Sequence, residues 1–292
     1  MEKTLRRIEK GQPEYPRRLQ DLPGMPSCLY VNGRLPEEGK LTVGMVGARN
    51  CSAYGRHVAW EYARMFSNCG VQVISGMAMG IDGESHQGAL QGRTPTFAVL
   101  GCGTDVCYPR GSRDLFERIP LRGGIISEYP PGTPPTGWRF PARNRVISAL
   151  SDVLLVVEAR KRSGSLITVD CALEQGKTVF AVPGRVTDRL SEGCNELIAQ
   201  GAGVALSPEM VLKELGMDTY RTKEDSKKRQ LGLARDLDLV YSCVGFQPTD
   251  YEALIAKCGC PPQQVLSLLT ELQVMGLVEE VGKNYYIRLP IH

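Results

Sequence analysis

One pattern governs what this chain can fold into. From about residue 41 it repeats a short apolar run, a glycine-containing loop and an amphipathic stretch. The apolar runs are 42-TVGMVGA-48, 71-VQVIS-75, 95-PTFAVL-100, 124-GIISE-128, 153-VLLVVEA-159, 178-TVFAVP-183 and 203-GVALS-207. They are short and rich in Val and Ile, as befits strands buried on both faces. Helical stretches are predicted between them, near 55–69, 81–92, 111–119, 141–151, 165–176 and 193–201, with a further helix opened by 207-SPEM-210.

Strand–helix alternation of this kind requires right-handed crossovers and a mostly parallel sheet. The expected fold class is therefore α/β, an extended Rossmann-like, doubly wound core over residues 41–216. Residues 1–40 form an N-terminal lead-in with helical, turn and extended fragments, too short to fold alone. Residues 217–230 are charged and lack apolar periodicity, which marks a linker. Residues 231–292 predict helices near 233–243, from Thr249-Asp250, and from Pro261-Pro262 to about Met275, then a hairpin turning at Gly282-Lys283-Asn284. Three helices and a hairpin make a small winged-helix-like domain.

Ligands on open α/β sheets bind beyond the carboxyl ends of the strands, so the loops after the apolar runs are where function is sought. The first, 44-GMVGARNCSAYG-55, has glycines that admit an anion to backbone N–H groups, with Arg49 directly after the turn; the same glycines also suit a tight strand-to-helix turn and nothing more. The second, 75-SGMAMGIDG-83, would complete a cradle for more than one phosphate, and its Asp82 reads equally well as a helix cap. The spacing is not G-x-G-x-x-G and the second strand ends in Ser75-Gly76, which disfavours a dinucleotide site.

The segment 136-TGWRFPARNRVISALS-151 gathers Arg139, Arg143 and Arg145 near a helix start, where the macrodipole does not favour cations, so something anionic must compensate. The following loop adds Arg160, Lys161 and Arg162 and then Ser163-Gly164-Ser165. Residues 136–165 carry a net charge of +4 against +3 for the whole chain, whereas 231–292 carry −3. Arg143 and Arg145 lie about 200° apart on a helix, so they cannot face one ligand equally, and one is free to pair with an acid such as Glu158. Trp138 and Phe140, interleaved with these cations, fit either a core or a surface on which bases stack while cations track phosphates. The presumed recognition helix, 261-PPQQVLSLLTELQVM-275, has no Lys or Arg, so the C-terminal domain reads as a protein-contact or autoregulatory module rather than a duplex reader.

Other chemistries lack their residues. No phosphate-binding G-x-x-x-x-G-K-[ST] or G-x-S-x-G elbow occurs, and paired carboxylates at a strand end are not evident. The ten cysteines contain no C-x-x-C pair and the chain has three histidines, which argues against a zinc cluster; no metal or cofactor is expected. There is no apolar run of about 18 residues and no signal peptide, so a cytoplasmic protein without membrane contact is expected. These residues favour binding over catalysis, and no enzymatic activity is expected.

The runs 46-VGARNCSAYG-55, 75-SGMAMGID-82, 103-GTDVCYP-109, 127-SEYPPG-132, 140-FPARNRVISALSD-152, 163-SGSLITVDCALEQGK-177, 181-AVPG-184 and 193-GCNELIAQGA-202, with 14-EYPRRLQDLPGMPSCLYVNG-33 upstream, resemble the DNA-processing protein family DprA, also called Smf. The likeness runs in order from about residue 14 to 206. It implies a protein that binds single-stranded DNA, protects it as it enters during natural transformation, and loads the RecA recombinase onto it, working as a homodimer. It also implies site residues. Gly47 and Arg49 match the first-loop phosphate contacts, Phe140 the base-stacking aromatic, and Arg143, Asn144 and Arg145 the polar part of the same motif. Ser163, Gly164 and Ser165 match the serine-rich loop, and Gly193 and Asn195 a G-x-N turn. Many relatives carry a longer N-terminal helical domain, and the C-terminal module varies in the family. The competing expectation is a nucleotide-binding or nucleotide-processing Rossmann-like enzyme, but 101-GCGTDVCYP-109 lacks the P-G-G opening and closing Glu of that class.

Overall fold

The computed structural model describes residues 5–217 and 234–289. The chain divides into two compact units, 1–219 and 220–292, and most of the expected linker lies outside the described residues.

The first unit is built on strands β1 (Leu5–Glu9), β2 (Cys28–Gly33), β3 (Thr42–Gly47), β4 (Gln72–Ser75), β5 (Thr96–Leu100), β6 (Gly124–Ser127), β7 (Val153–Val157), β8 (Thr178–Ala181) and β9 (Gly203–Val204). Its helices are α1 (Arg17–Gln20), α2 (Ala53–Asn68), α3 (Ile81–Leu90), α4 (Arg113–Arg122), α5 (Arg139–Leu150), α6 (Gly164–Glu174), α7 (Glu192–Ala199) and α8 (Pro208–Glu214). The sheet order is β1-β2-β6-β5-β4-β3-β7-β8-β9, parallel from β6 through β9. All seven apolar runs are strands of this sheet.

Period-two geometry explains why those runs are continuously apolar. Along β7, Leu154 and Val156 join one core with Val146, Ile147 and Leu150 of α5 and Val169 of α6. Val153, Leu155 and Val157 join the opposite core with Ala59 and Phe66 of α2 and Leu212 of α8. Each Val, Leu, Ile or Phe side chain among them, taken fully from water, stabilises the fold by about 1.5–3 kcal/mol, and neither face can be polar.

The lead-in does not stand apart. β1 pairs antiparallel with β2, and β2 pairs antiparallel with β6, from Tyr30 opposite Ser127 to Gly33 opposite Gly124. Two antiparallel strands thus extend the edge of a parallel sheet.

Chain direction across the sheet fixes where a ligand can enter. After β3 the chain moves through β4, β5 and β6 on one side, then returns to place β7 on the other side of β3, with Gly44 opposite Leu154 and Gly47 opposite Val157. The loops leaving β3 and β7 diverge, which opens a crevice at their carboxyl ends.

The second unit contains α9 (Arg235–Cys243), β10 (Thr249–Asp250), α10 (Tyr251–Cys258), α11 (Pro262–Val274), β11 (Val278–Gly282) and β12 (Tyr285–Arg288), with sheet order β10-β12-β11. Leu237, Val240, Leu254, Val265, Leu269, Leu272 and Tyr286 form its core, giving a winged-helix domain. Thr249 and Asp250, expected to open a helix, first pair with Tyr286 and Tyr285; Asp250 then caps α10 by accepting from the Glu252 N–H at 3.1 Å.

Candidate functional site

A cleft of about 530 Å³ lies at the carboxyl ends of β3 and β7. The loop after β3 contributes Gly47, Ala48 and Arg49; α5 contributes Phe140, Arg143 and Asn144; the loop after β7 and the start of α6 contribute Arg160, Arg162, Ser163, Gly164 and Ser165. Of the eleven residues named from the sequence, eight therefore surround one opening. A smaller niche adjoins it, between Met79, Leu100, Tyr108 and Phe140.

Phe140 is the hinge between the two spaces. Its ring stacks on Tyr108, with centroids 5.3 Å apart and planes at 22°, and the Arg49 guanidinium lies 5.6 Å from its centroid. Gly101 packs against the same ring, where a Cβ would stand 3.0 Å from Phe140 Cδ1. Arg49 and Tyr108 are both exposed, so the stack faces water on a fixed base. Tyr108 escaped the sequence reading as a site residue; its signal was the Tyr-Pro pair ending 103-GTDVCYP-109.

The cleft floor is organised differently. Arg143 is only 4% exposed. It donates from one terminal nitrogen to the carbonyls of Gly76, at 2.8 Å, and Val99, and from Nε to Asn144 Oδ1 at 3.2 Å. Burial pulls its pKa down to about 10, with Asp82 opposing, so the guanidinium stays charged at neutral pH. Asp82 is also buried, which pushes its carboxyl upward against the field of Arg143. The Asp82 carboxylate accepts from the N–H groups of Gly76 at 3.1 Å and Ala78 at 3.4 Å. It braces the loop ahead of α3 rather than serving as the cap residue, a position taken by Gly80. Asn144 reaches across to the Gly164 carbonyl at 3.4 Å and ties α5 to the start of α6.

The expected phosphate cradle is corrected in its location. At the start of α2 the Glu158 side chain occupies the anion position: it accepts from the Ser52 N–H at 2.8 Å and from the Ser52 hydroxyl. Gly55 is required there because a Cβ would strike that carboxylate. At α3 the first N–H, from Ile81, donates to the Ala48 carbonyl at 3.2 Å. The start of α6 lines the cleft with Ser163, Gly164 and Ser165 and has no acidic residue in its first turn, whereas α3 reaches the same cleft with Asp82. Ser163 caps it, and the Ser163 and Ser165 hydroxyls are 2.7 Å apart. Partial positive charge at that helix start, with Arg160 and Arg162 exposed before it, suits an anion.

Three residues named from the sequence do not line the cleft. Arg145 turns away on α5 and pairs with Glu128 at 2.6 Å, which also corrects the expected partner, Glu158. Gly193 packs the start of α7 against the chain after β7; its N–H donates to Ala159 O at 2.7 Å and a Cβ would meet the Ala159 and Arg160 carbonyls at 2.8 Å. Asn195 bonds both backbone groups of Gly184, at 3.0 and 3.1 Å, and holds the loop after β8. His86 lies buried on α3, bonded through Nδ1 to Thr96 Oγ1 at 2.8 Å and away from the cleft. Among the described residues no cluster of His, Cys, Asp and Glu could hold a metal, and no helix is long and apolar enough to cross a membrane.

Together these features define a class: a Rossmann-like protein with an arginine-, phenylalanine- and serine-lined crevice at its topological switch point, followed by a winged helix. A family model described as DNA recombination-mediator protein A matches residues 6–216, and one described as the DprA winged helix domain matches residues 224–282. The chain belongs to the DprA, or Smf, family of DNA-processing proteins. It is 36% identical to Protein Smf of Escherichia coli over 277 residues, covering 93% of this chain and 74% of that protein. It is 40% identical over 200 residues to DNA processing protein DprA of Streptococcus pneumoniae, covering 68% of this chain and 71% of that protein. The X-ray structure of the S. pneumoniae protein superposes with a TM-score of 0.68 over 72% of this chain and 74% of that one, at 38% identity. A Helicobacter pylori DNA processing protein A, described for its single-stranded DNA binding mode, superposes with a TM-score of 0.65 over 73% of this chain and 95% of that one, at 28% identity.

Proposed function

We propose that this protein binds single-stranded DNA in the cleft between the ends of β3 and β7, protects it as it enters the cell, and passes it to the RecA recombinase in the cytoplasm. The observation that carries the reading is convergence. Arg49, Phe140, Arg160, Arg162 and the start of α6 face one opening although they come from three separate segments, and Tyr108, from a fourth, stacks on Phe140 in the adjoining niche. A single strand exposes the base faces that such a stack requires, whereas a duplex hides them. Gly47, Arg143 and Asn144 shape the floor, while Arg49, Ser163, Gly164 and Ser165 meet the phosphates. Asp82, the carboxylate that lines the cleft, is committed to loop N–H groups, and Glu158 at the start of α2 to Ser52, which favours holding a strand over cleaving one or processing a nucleotide. The protein works as a homodimer, and its winged helix, whose α11 lacks cations, contacts protein rather than duplex.

Fluorescence anisotropy with an unstructured oligonucleotide and its matched duplex tests the reading. The single strand is expected to bind more tightly, and F140A to cost about 1–3 kcal/mol of that affinity. Equal affinity for the two forms rejects the stacking mechanism, and release of base or phosphate from nucleotides would favour an enzyme. RecA filament nucleation on single strands, followed with and without the protein, tests the loading step; an unchanged lag removes it.

A further inference from the structure

Trp138 precedes α5 by one residue and Phe140 by two, yet it lies outside the cleft and is 63% exposed. A lone exposed apolar residue needs no explanation, but this indole is held in place. Its ring meets Tyr129 edge to face, with centroids 6.4 Å apart. The Arg139 guanidinium lies 4.9 Å from the Tyr129 ring and 5.1 Å from the Trp138 ring, and donates to the Pro134 carbonyl at 2.6 Å. The supporting loop is stiff. It contains Pro130, Pro131, Pro134 and Pro135, and the Gly132 N–H is anchored on the Asp105 carboxylate at 2.8 and 3.0 Å. Much of the entropy of ordering the ring is thus spent before any ligand arrives.

We propose that Trp138 is a second base-stacking position for single-stranded nucleic acid, outside the cleft, where the strand leaving Phe140 passes around the start of α5. The inference rests on the single-strand reading of the cleft and extends its footprint. Two residues at a helix start are separated by roughly 200° around the axis, so the two rings serve different nucleotides rather than one. The first turn of α5 has no acidic residue to repel the phosphate between them. The cation against the indole favours a base joined to phosphates over an acid-free apolar segment of another protein.

The chain has two tryptophans, and Trp60 is buried, so emission quenched by an oligonucleotide reports on Trp138. The intact protein is titrated with oligothymidylates from about 4 to about 16 nucleotides long, following emission and anisotropy together. The longer strands are expected to quench emission and the shortest, confined to the cleft, to leave it unchanged. W138A weakens the longer strands by about 5- to 150-fold and leaves the shortest unaffected. W138F keeps most of the affinity and loses the quench, which separates Trp138 from Trp60. Long strands that bind without quenching, or that bind W138A as tightly as the native protein, overturn the proposal while the cleft reading stands. Failure of every strand to bind the native protein overturns both.

Discussion

Arg143 and Arg49 line the same cleft with the same charge, and they do opposite work. Arg143, on the floor, satisfies two backbone carbonyls and faces buried Asp82. Arg49, on the rim, is exposed and lies against the Phe140 ring. The floor cation is consumed in joining α5 to the loop before α3; the rim cation keeps most of its field for whatever enters. A cluster of arginines in sequence is therefore not a count of ligand contacts. Arg145 makes the same point, since Glu128 neutralises it within the fold.

That contrast breaks or sharpens by measurement. The largest effect is expected from R143A, which strands Asp82 and two carbonyls in the interior and should cost the first unit about 3–5 kcal/mol; a denaturation midpoint close to the native one would refute the structural role of the floor. Next comes His86, whose burial, aided by the field of Arg143, lowers its pKa from 6.5 to about 3. Between those values the unfolded chain binds the proton that the folded chain refuses, so stability falls as pH falls. On the order of 2 kcal/mol should be gone by pH 5, and H86Q should flatten that part of the pH–stability curve. If it leaves the curve unchanged, other groups drive the acid response. The smallest change in stability belongs to the rim. R49A, R160A and R162A should each stay within about 0.5 kcal/mol of the native protein, yet each should reduce the slope of log affinity against log salt by about 0.7. A rim variant that unfolds the protein, or leaves the slope untouched, erases the distinction.

Much of this architecture was legible because burial on both faces leaves a plain mark: strands such as 153-VLLVV-157 have no polar alternative. The Rossmann-like core was readable on that ground, the winged helix on its three helices and hairpin, and the segments lining the cleft on their glycines, serines and clustered cations. β1 and β2 were not, because short strands that carry polar residues resemble loop. The site divides along similar lines. Arg49 and Phe140 could be named from their motifs; Tyr108 stood inside the quoted run 103-GTDVCYP-109, but only the packing of the loop after β5 against α5 stacks it on Phe140.

By itself the sequence determined the layers, the parallel core and the crowding of cations at its carboxyl edge, since these depend on local period, turn chemistry and charge. Tertiary structure alone decided which of those charges remain available. Glu128 reaches Arg145 and Glu158 reaches Ser52 through the order of strands in the sheet, and pairing between distant segments obeys distance in space, which no spacing along the chain records.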